Sequence, residues 1–328
     1  MPEGMKIAAR RSTRSAACGV AVVATFACTA CQLFARESRS PDSDRPPVEQ
    51  LVEVNPNIPA RDLFYGVGGA ARAPRADAAY QFLKRDESGV STNLEVKDPS
   101  GQIWDAKLGA DAQPEVTASR LLWAIGFHQP PVYYVREWRI ASGAEAGPQP
   151  EARFRLEQKD WKKGGEWDWQ DNPFVGTREL RGLVVMMAIL NSWDLKTSNN
   201  KIYEVKGGDP ARLYVVKDLG DSFGRSVRIL FGTQDDLAGF KQEGFIRRVK
   251  GDRVDLHFRP LLLNAGVDDD ITVDDVLWTC RRLDRLSDRQ WRDAFRAGGY
   301  SDEEGAAYVD LLKRKVREGL ALAEGQRA

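Results

Sequence analysis

Apolar and polar positions alternate along Tyr80–Lys84, Thr92–Val96 and Ile103–Leu108, the period of half-buried strands. Asp86-Glu-Ser-Gly89 and Asp98-Pro-Ser-Gly101 between them carry turn chemistry, so the spacing predicts a three-stranded meander. The period then changes. Ala118, Leu121, Leu122 and Ile125 recur at helical spacing, with Pro114 suited to the first turn and Gly126 to the stop. A second helix is predicted from Thr177 to Leu190. Thr177 is its cap, Glu179 lies in its first turn, and Leu183-Val-Val-Met-Met-Ala-Ile-Leu190 is apolar on every face, as in a buried helix. Beyond it, Lys201–Val205 and Arg212–Lys217 flank Lys206-Gly-Gly-Asp-Pro210 and read as a hairpin. Three helices close the chain, announced by Thr272 and by the capping boxes Ser287/Gln290 and Ser301/Glu304. Strands first and helices later predict an α+β fold.

Composition separates the first residues from the rest. The chain has 328 residues, 42% hydrophobic and 29% charged, which is globular usage. Lys6, Arg10, Arg11 and Arg14 precede an apolar run from Ala16 to Ala27, too short to span a bilayer but suited to a signal peptide. Ala27-Cys28-Thr29-Ala30-Cys31 follows. It resembles a bacterial lipobox, which implies cleavage, a lipidated cysteine and an exported, membrane-tethered protein. Cys31, after Thr29-Ala30, fits better than Cys28, which has Phe26 two residues upstream. Residues 32–61 carry Pro41, Pro46, Pro47, Pro56 and Pro59 among charged and small residues and are expected to be a tether without its own core. Removing residues 1–31 leaves 44 Lys and Arg against 47 Asp and Glu, so no basic field exists to recruit nucleic acid. Cys280 alone among four cysteines lies outside the leader, on the apolar stripe Val273, Val276, Leu277, Leu283. No disulfide framework or zinc spacing is present, and two histidines, His128 and His257, argue against a His-based triad.

The segment that carries chemistry follows the buried helix: Asn191-Ser-Trp-Asp194-Leu-Lys196-Thr-Ser-Asn199-Asn200, and one hairpin later Lys217-Asp218-Leu219-Gly220. Phosphoryl transfer asks for a carboxylate to orient the accepting hydroxyl, an amide oxygen and a second carboxylate for Mg²⁺, and a cation near the γ-phosphate. Asp194, Asn199, Asp218 and Lys196 are those groups in that order. The spacing D-x-K-x-x-N resembles the catalytic loop of protein kinases, and Asp218-Leu-Gly220 resembles their D-F-G. Ser192 and Trp193 stand where ordinary protein kinases have His and Arg, which moves the resemblance toward the HipA-type, spore-coat CotH-type and secretory-pathway kinases.

The resemblance implies a protein-kinase-like fold, with an N-lobe over about 62–140 and a C-lobe over 141–328. It also implies ATP and Mg²⁺ or Mn²⁺ as cofactors. Asp194 would then position the acceptor, Lys196 approach the γ-phosphate, and Asn199 and Asp218 bind the metal. Lys107, in Trp104-Asp-Ala-Lys107, occupies the place of the phosphate-binding lysine, and Glu115 falls on the inward stripe of the next helix, where it could pair with it. Ser88-Gly89 is the candidate phosphate-covering turn. Gly66-Val-Gly68-Gly69 is rejected for that part because it precedes the first strand. The acceptor is open among protein Ser/Thr, a glycan and a small molecule, and a non-catalytic scaffold remains the alternative. Trp161, Trp167 and Trp169 lie in a polar loop where they either stack on a ligand or anchor packing, the latter favoured. Between Ser222 and Pro260 no A-P-E is found, and Arg281, Arg282, Arg285, Arg289 and Arg292 read as a solvated face.

Overall fold

A computed structural model describes residues 45–325 apart from residues 76, 88, 90, 227–231, 261–263 and 265. The expected signal peptide with Cys28 and Cys31, and residues 32–44 of the expected tether, lie outside the described residues. From Pro46 onward the chain forms one compact unit. It is α+β, with a sheet lobe followed by a mainly helical lobe.

The sheet lobe holds β1 (Ala79–Asp86), β2 (Asn93–Lys97), β3 (Ile103–Leu108), β4 (Val132–Val135), β5 (Trp138–Ser142), β6 (Gly147–Gln149) and β7 (Ala152–Leu156) in one seven-stranded sheet. Strand order is β4-β7-β3-β2-β1-β5-β6, antiparallel except where β5 runs beside β1. One face packs Tyr80, Trp104, Tyr133, Trp138 and Phe154 into an aromatic core. The other carries Asp105, Lys107, Arg153 and Arg155, because side chains alternate along each strand and Lys107 lies opposite Arg153. The first three strands fall where the alternation placed them. The lobe boundary does not: β5, β6 and β7 extend the sheet lobe to Leu156, past the expected end at residue 140, because β7 inserts between β3 and β4.

Helix α1 (Ala112–Ala124) crosses behind this sheet, with Glu115 and Arg120 among its many buried residues. Gly126 follows at φ 113°, a conformation that favours glycine, and turns the chain into β4. The expected tether is corrected here. Leu51, Val52 and Ile58 are buried in the same core cluster as Leu121 and Leu122 of α1, so residues 46–61 are a packed belt rather than a spacer. The prolines misled because a few apolar side chains were enough to bind the segment to a neighbouring helix.

The helical lobe contains β8 (Trp161–Lys163), α2 (Arg178–Leu190), the β9–β10 hairpin (Asn200–Val205, Arg212–Val216), α3 (Leu237–Gln242), the β11–β12 hairpin (Ile246–Lys250, Arg253–Leu256), α4 (Val273–Leu283), α5 (Asp288–Ala297) and α6 (Asp302–Gly325). Thr177 caps α2 through Leu180 N at 3.2 Å, and Thr272 and Ser287 form full capping boxes. Cys280 is a core residue whose thiol burial pushes up to about 12. Arg282 departs from the expected solvated face. It lies 3.9 Å over the Trp278 ring and donates to Ile125 O at 2.7 Å and Val54 O at 2.7 Å, fastening the belt and α1 to α4.

Candidate active site

Between the lobes lies a cleft of about 1120 Å³. From the sheet it is lined by Gly89, Asp105, Lys107, Arg153 and Arg155, and from the helical lobe by Asp194, Lys196, Asn199, Lys217, Asp218 and Asp221. Of the sequence-derived site residues, Lys107, Asp194, Lys196, Asn199 and Asp218 line this one cleft, together with Gly89. Glu115 sits behind it, bonded to Lys107, and Ser88 lies outside the described residues.

The helical-lobe half begins where α2 ends. Asn191 takes a left-handed conformation (φ 53°) and turns the chain into the loop. Asn199 Nδ2 donates to Asp194 O at 2.8 Å and to Asp194 Oδ2 at 3.3 Å, while Lys196 Nζ reaches Oδ2 at 2.8 Å. Two donors therefore converge on one carboxylate oxygen. Asp194 Oδ1 is buried and accepts no hydrogen bond, an acceptor held ready for a donor that comes from elsewhere. The β9–β10 hairpin returns the chain so that Lys217 N donates to Asn199 O at 2.9 Å, which sets Asp218 beside the loop.

The sheet half meets it through Lys107. Its ammonium lies 2.9 Å from Asp218 Oδ1, 3.1 Å from Asp111 Oδ2 and 3.5 Å from Glu115 Oε2. Burial works against that charge, but Glu115, Asp218 and Asp111 raise it well above the ordinary lysine value. Burial likewise pushes the Asp218 carboxyl up, and Lys107 outweighs it, holding the group at about 2. Glu115, 1% exposed, is shared among three cations: its Oε1 lies 2.6 Å from Arg155 and 2.8 Å from Arg153, closer than its Oε2 lies to Lys107. Arg155 also donates to Lys217 O at 2.8 Å, and its charge, followed by burial, lowers Lys217 to about 8.

Sequence reasoning missed Asp111, Asp221, Arg153 and Arg155. Asp111 precedes α1 and accepts from Ser91 Oγ at 2.6 Å and Gln234 Nε2 at 2.9 Å, joining the β1–β2 turn to the segment after Asp218. Asp221 is raised to about 7 by burial first and then by Asp194, Asp111 and Asp218, and all four carboxylates line the cleft. The alternation on β7 could have placed Arg153 and Arg155 on the Lys107 face, had β7 been predicted beside β3. Of the three tryptophans, Trp167 and Trp169 are buried anchors, whereas Trp161 is half-buried, lines the cleft and stands 5.1 Å from the Tyr203 ring. Gly66 and Gly68 pack near Arg120 and Tyr133, away from the cleft lining.

Among the described residues no group of three or more His, Cys, Asp or Glu side chains forms a metal site by itself. The residues fit a divalent ion of another kind. Mg²⁺ is commonly bound through one or two carboxylates plus substrate phosphates, and the Asp218 carboxylate and the Asn199 amide, both on the cleft lining, carry oxygen donors of that kind.

No protein-family model matches the sequence, and no curated protein does. Among solved structures the chain is similar to the proinflammatory kinase CtkA of Helicobacter pylori, at 8% identity and a TM-score of 0.47, over 75% of this chain and 96% of that one. Likeness at that level supports no inference about chemistry, and the reading of the site rests on its own geometry.

Proposed function

We propose that the protein is an atypical kinase that transfers the γ-phosphoryl group of ATP to a hydroxyl acceptor. The observation that supports this best is the meeting of Lys107, Asp194, Lys196, Asn199 and Asp218 around one cleft, from stretches of chain separated by up to 111 positions. In this reading Lys107 holds the α- and β-phosphates, and Glu115 fixes the ammonium that does so. Asp218 and Asn199 would hold Mg²⁺, which neutralises charge on the phosphates when bound. Asp194 Oδ1 accepts the proton of the acceptor hydroxyl as its oxygen bonds to phosphorus and the bond to the ADP oxygen breaks. Lys196 approaches the γ-phosphate, and its contact with Oδ2 keeps Asp194 oriented. Gly89, with no side chain and an open position, suits a turn that lets backbone amides approach phosphate.

The acceptor is a protein Ser/Thr, a glycan or a small molecule, and the protein works at the cell envelope, tethered through Cys31. A second reading, a nucleotide-binding scaffold without transfer, is favoured by one contact: Lys107 lies closer to Asp218 than to Glu115, so the ion pair occupies a carboxylate that the metal needs. Calorimetry separates the two. Transfer chemistry expects ATP to bind with Mg²⁺ or Mn²⁺ and to lose that binding with chelator and in Asp218→Ala. Equal binding by wild type and Asp218→Ala, with and without metal, overturns the metal assignment and leaves the scaffold.

A further inference from the structure

The last four carbonyls of a helix lack partners inside it, and at α2 these are Met187 to Leu190, immediately before the catalytic loop. Three parts of the chain meet them. Ser192 N donates to Met187 O at 2.9 Å and Asn191 N to Ala188 O at 3.3 Å, both from the loop that carries Asp194. Phe223 N donates to Leu190 O at 2.9 Å, from the segment that follows Asp218. Ile189 O is met by Lys315 Nζ of α6 at 3.1 Å, and the same ammonium lies 3.5 Å from Ala188 O. The end of α2 is thus a knot that ties together the Asp194 loop, the Asp218 loop and one lysine.

Lys315 is 4% exposed, and its Nζ lies 4.3 Å from the centroid of the Phe240 ring. Glu243, beyond α3, and Glu318 and Arg314, on α6 itself, are the charged groups that act on it; α2 offers it only main-chain carbonyls. Burial, the largest influence, pushes the ammonium down to about 7. Burying a cation is costly, so an apolar residue of the same length removes that cost while leaving Ile189 O without its donor, two effects that oppose each other in stability. A cation at a helix C-terminus does, however, satisfy carbonyls and the helix dipole together.

We propose that Lys315 is a positioning residue for phosphoryl transfer: it fixes the exit of α2 and thereby the placement of the Asp194 and Asp218 loops against each other. The inference rests on the phosphotransfer reading, and it acts through geometry, since Lys315 is absent from the cleft lining.

The test uses the purified full chain as wild type, Lys315→Met and Lys315→Gln. A misplacement of 1 Å costs on the order of 10²-fold in rate. Lys315→Met is therefore expected to keep its melting temperature and its KM for ATP while kcat falls about 10- to 100-fold. Lys315→Gln, which keeps an N–H donor, is expected to recover part of the loss. A purely structural lysine would instead lower the melting temperature and leave kcat per folded molecule unchanged, and that result overturns the proposal. Hydrogen exchange gives a readout that needs no substrate. In Lys315→Met the Ser192 and Phe223 amides should exchange at least about tenfold faster while those of β2 and β3 do not change. Unchanged exchange at Ser192 and Phe223 refutes the positioning even in a protein that transfers phosphate. Faster exchange in a wild-type background that transfers nothing withdraws the kinase reading and leaves the knot.

Discussion

Replacing Glu115 with Gln keeps the shape of the side chain and removes one charge from a crowded, buried ionic cluster. Its two oxygens lie 2.6 Å from Arg155, 2.8 Å from Arg153 and 3.5 Å from Lys107, and all four side chains are at most 9% exposed. The Arg153 and Arg155 side chains also touch Asp105, and Lys107 touches Asp218 and Asp111, so the cations would keep some compensation. Breaking a buried ion pair by removing one partner costs about 3–5 kcal/mol, most of it from the charge left behind. For a unit of this size each kcal/mol lowers Tm by about 2 °C, so Glu115→Gln is expected to melt about 6–10 °C below wild type. Differential scanning fluorimetry at neutral pH, with and without ATP and Mg²⁺, measures this directly. The variant should also bind ATP more weakly, because Lys107 loses the partner that sets its orientation. A second variant checks the cause: adding Arg153→Met to Glu115→Gln should recover part of the loss, since it takes away an unpaired cation. If Glu115→Gln melts within 2 °C of wild type, the cluster does not hold the sheet lobe as argued.

Three further outcomes are expected. Asp221 has a folded pKa raised to about 7, so the folded protein binds a proton there that the unfolded chain has released, and the group costs stability increasingly as pH rises from about 4 to 7. Asp221→Asn should therefore raise Tm at pH 8 and leave it nearly unchanged at pH 4; equal shifts at both would refute the carboxylate crowding. Lys107→Ala should weaken ATP binding and turnover together, whereas a loss confined to turnover would remove Lys107 from the phosphates. At the leader, labelled palmitate should enter wild type and not Cys31→Ser; labelling lost only in Cys28→Ser moves the site three residues earlier, and labelling indifferent to both removes the lipoprotein assignment.

The parts of this fold that could be read from sequence are those in which local pattern and long-range packing agree. The meander through Lys107, the buried helix ending at Leu190 and the hairpin before Asp218 each carry their own period and their own caps or turns, so tertiary contacts had only to assemble them. The belt at residues 46–61 went unread because its stability comes from other elements. Leu51, Val52 and Ile58 gain burial only once α1 exists, and Arg282 adds its bonds from a helix more than 220 positions away. The β5–β7 segment was missed for a related reason: β7 is buried on both faces, so Ala152-Arg-Phe-Arg-Leu156 has no solvent side, and two of its buried positions are arginines. Those arginines are legible as site residues only after β7 is placed beside β3. Asp221 gave no signal of its own, since its character comes first from burial and then from three other carboxylates, all of them supplied by folding.

The most direct test of the account is transfer of labelled γ-phosphate by the purified protein, to itself and to generic protein and glycan acceptors, in wild type and Asp194→Asn. Asp194 Oδ1 is buried without a donor, and in the proposed mechanism it would act on the acceptor and not on the nucleotide. Asp194→Asn is therefore predicted to bind ATP as wild type does while transfer falls about 10²- to 10⁴-fold, the range ordinarily lost with a general base. An Asp194→Asn protein that transfers phosphate as fast as wild type would contradict the account.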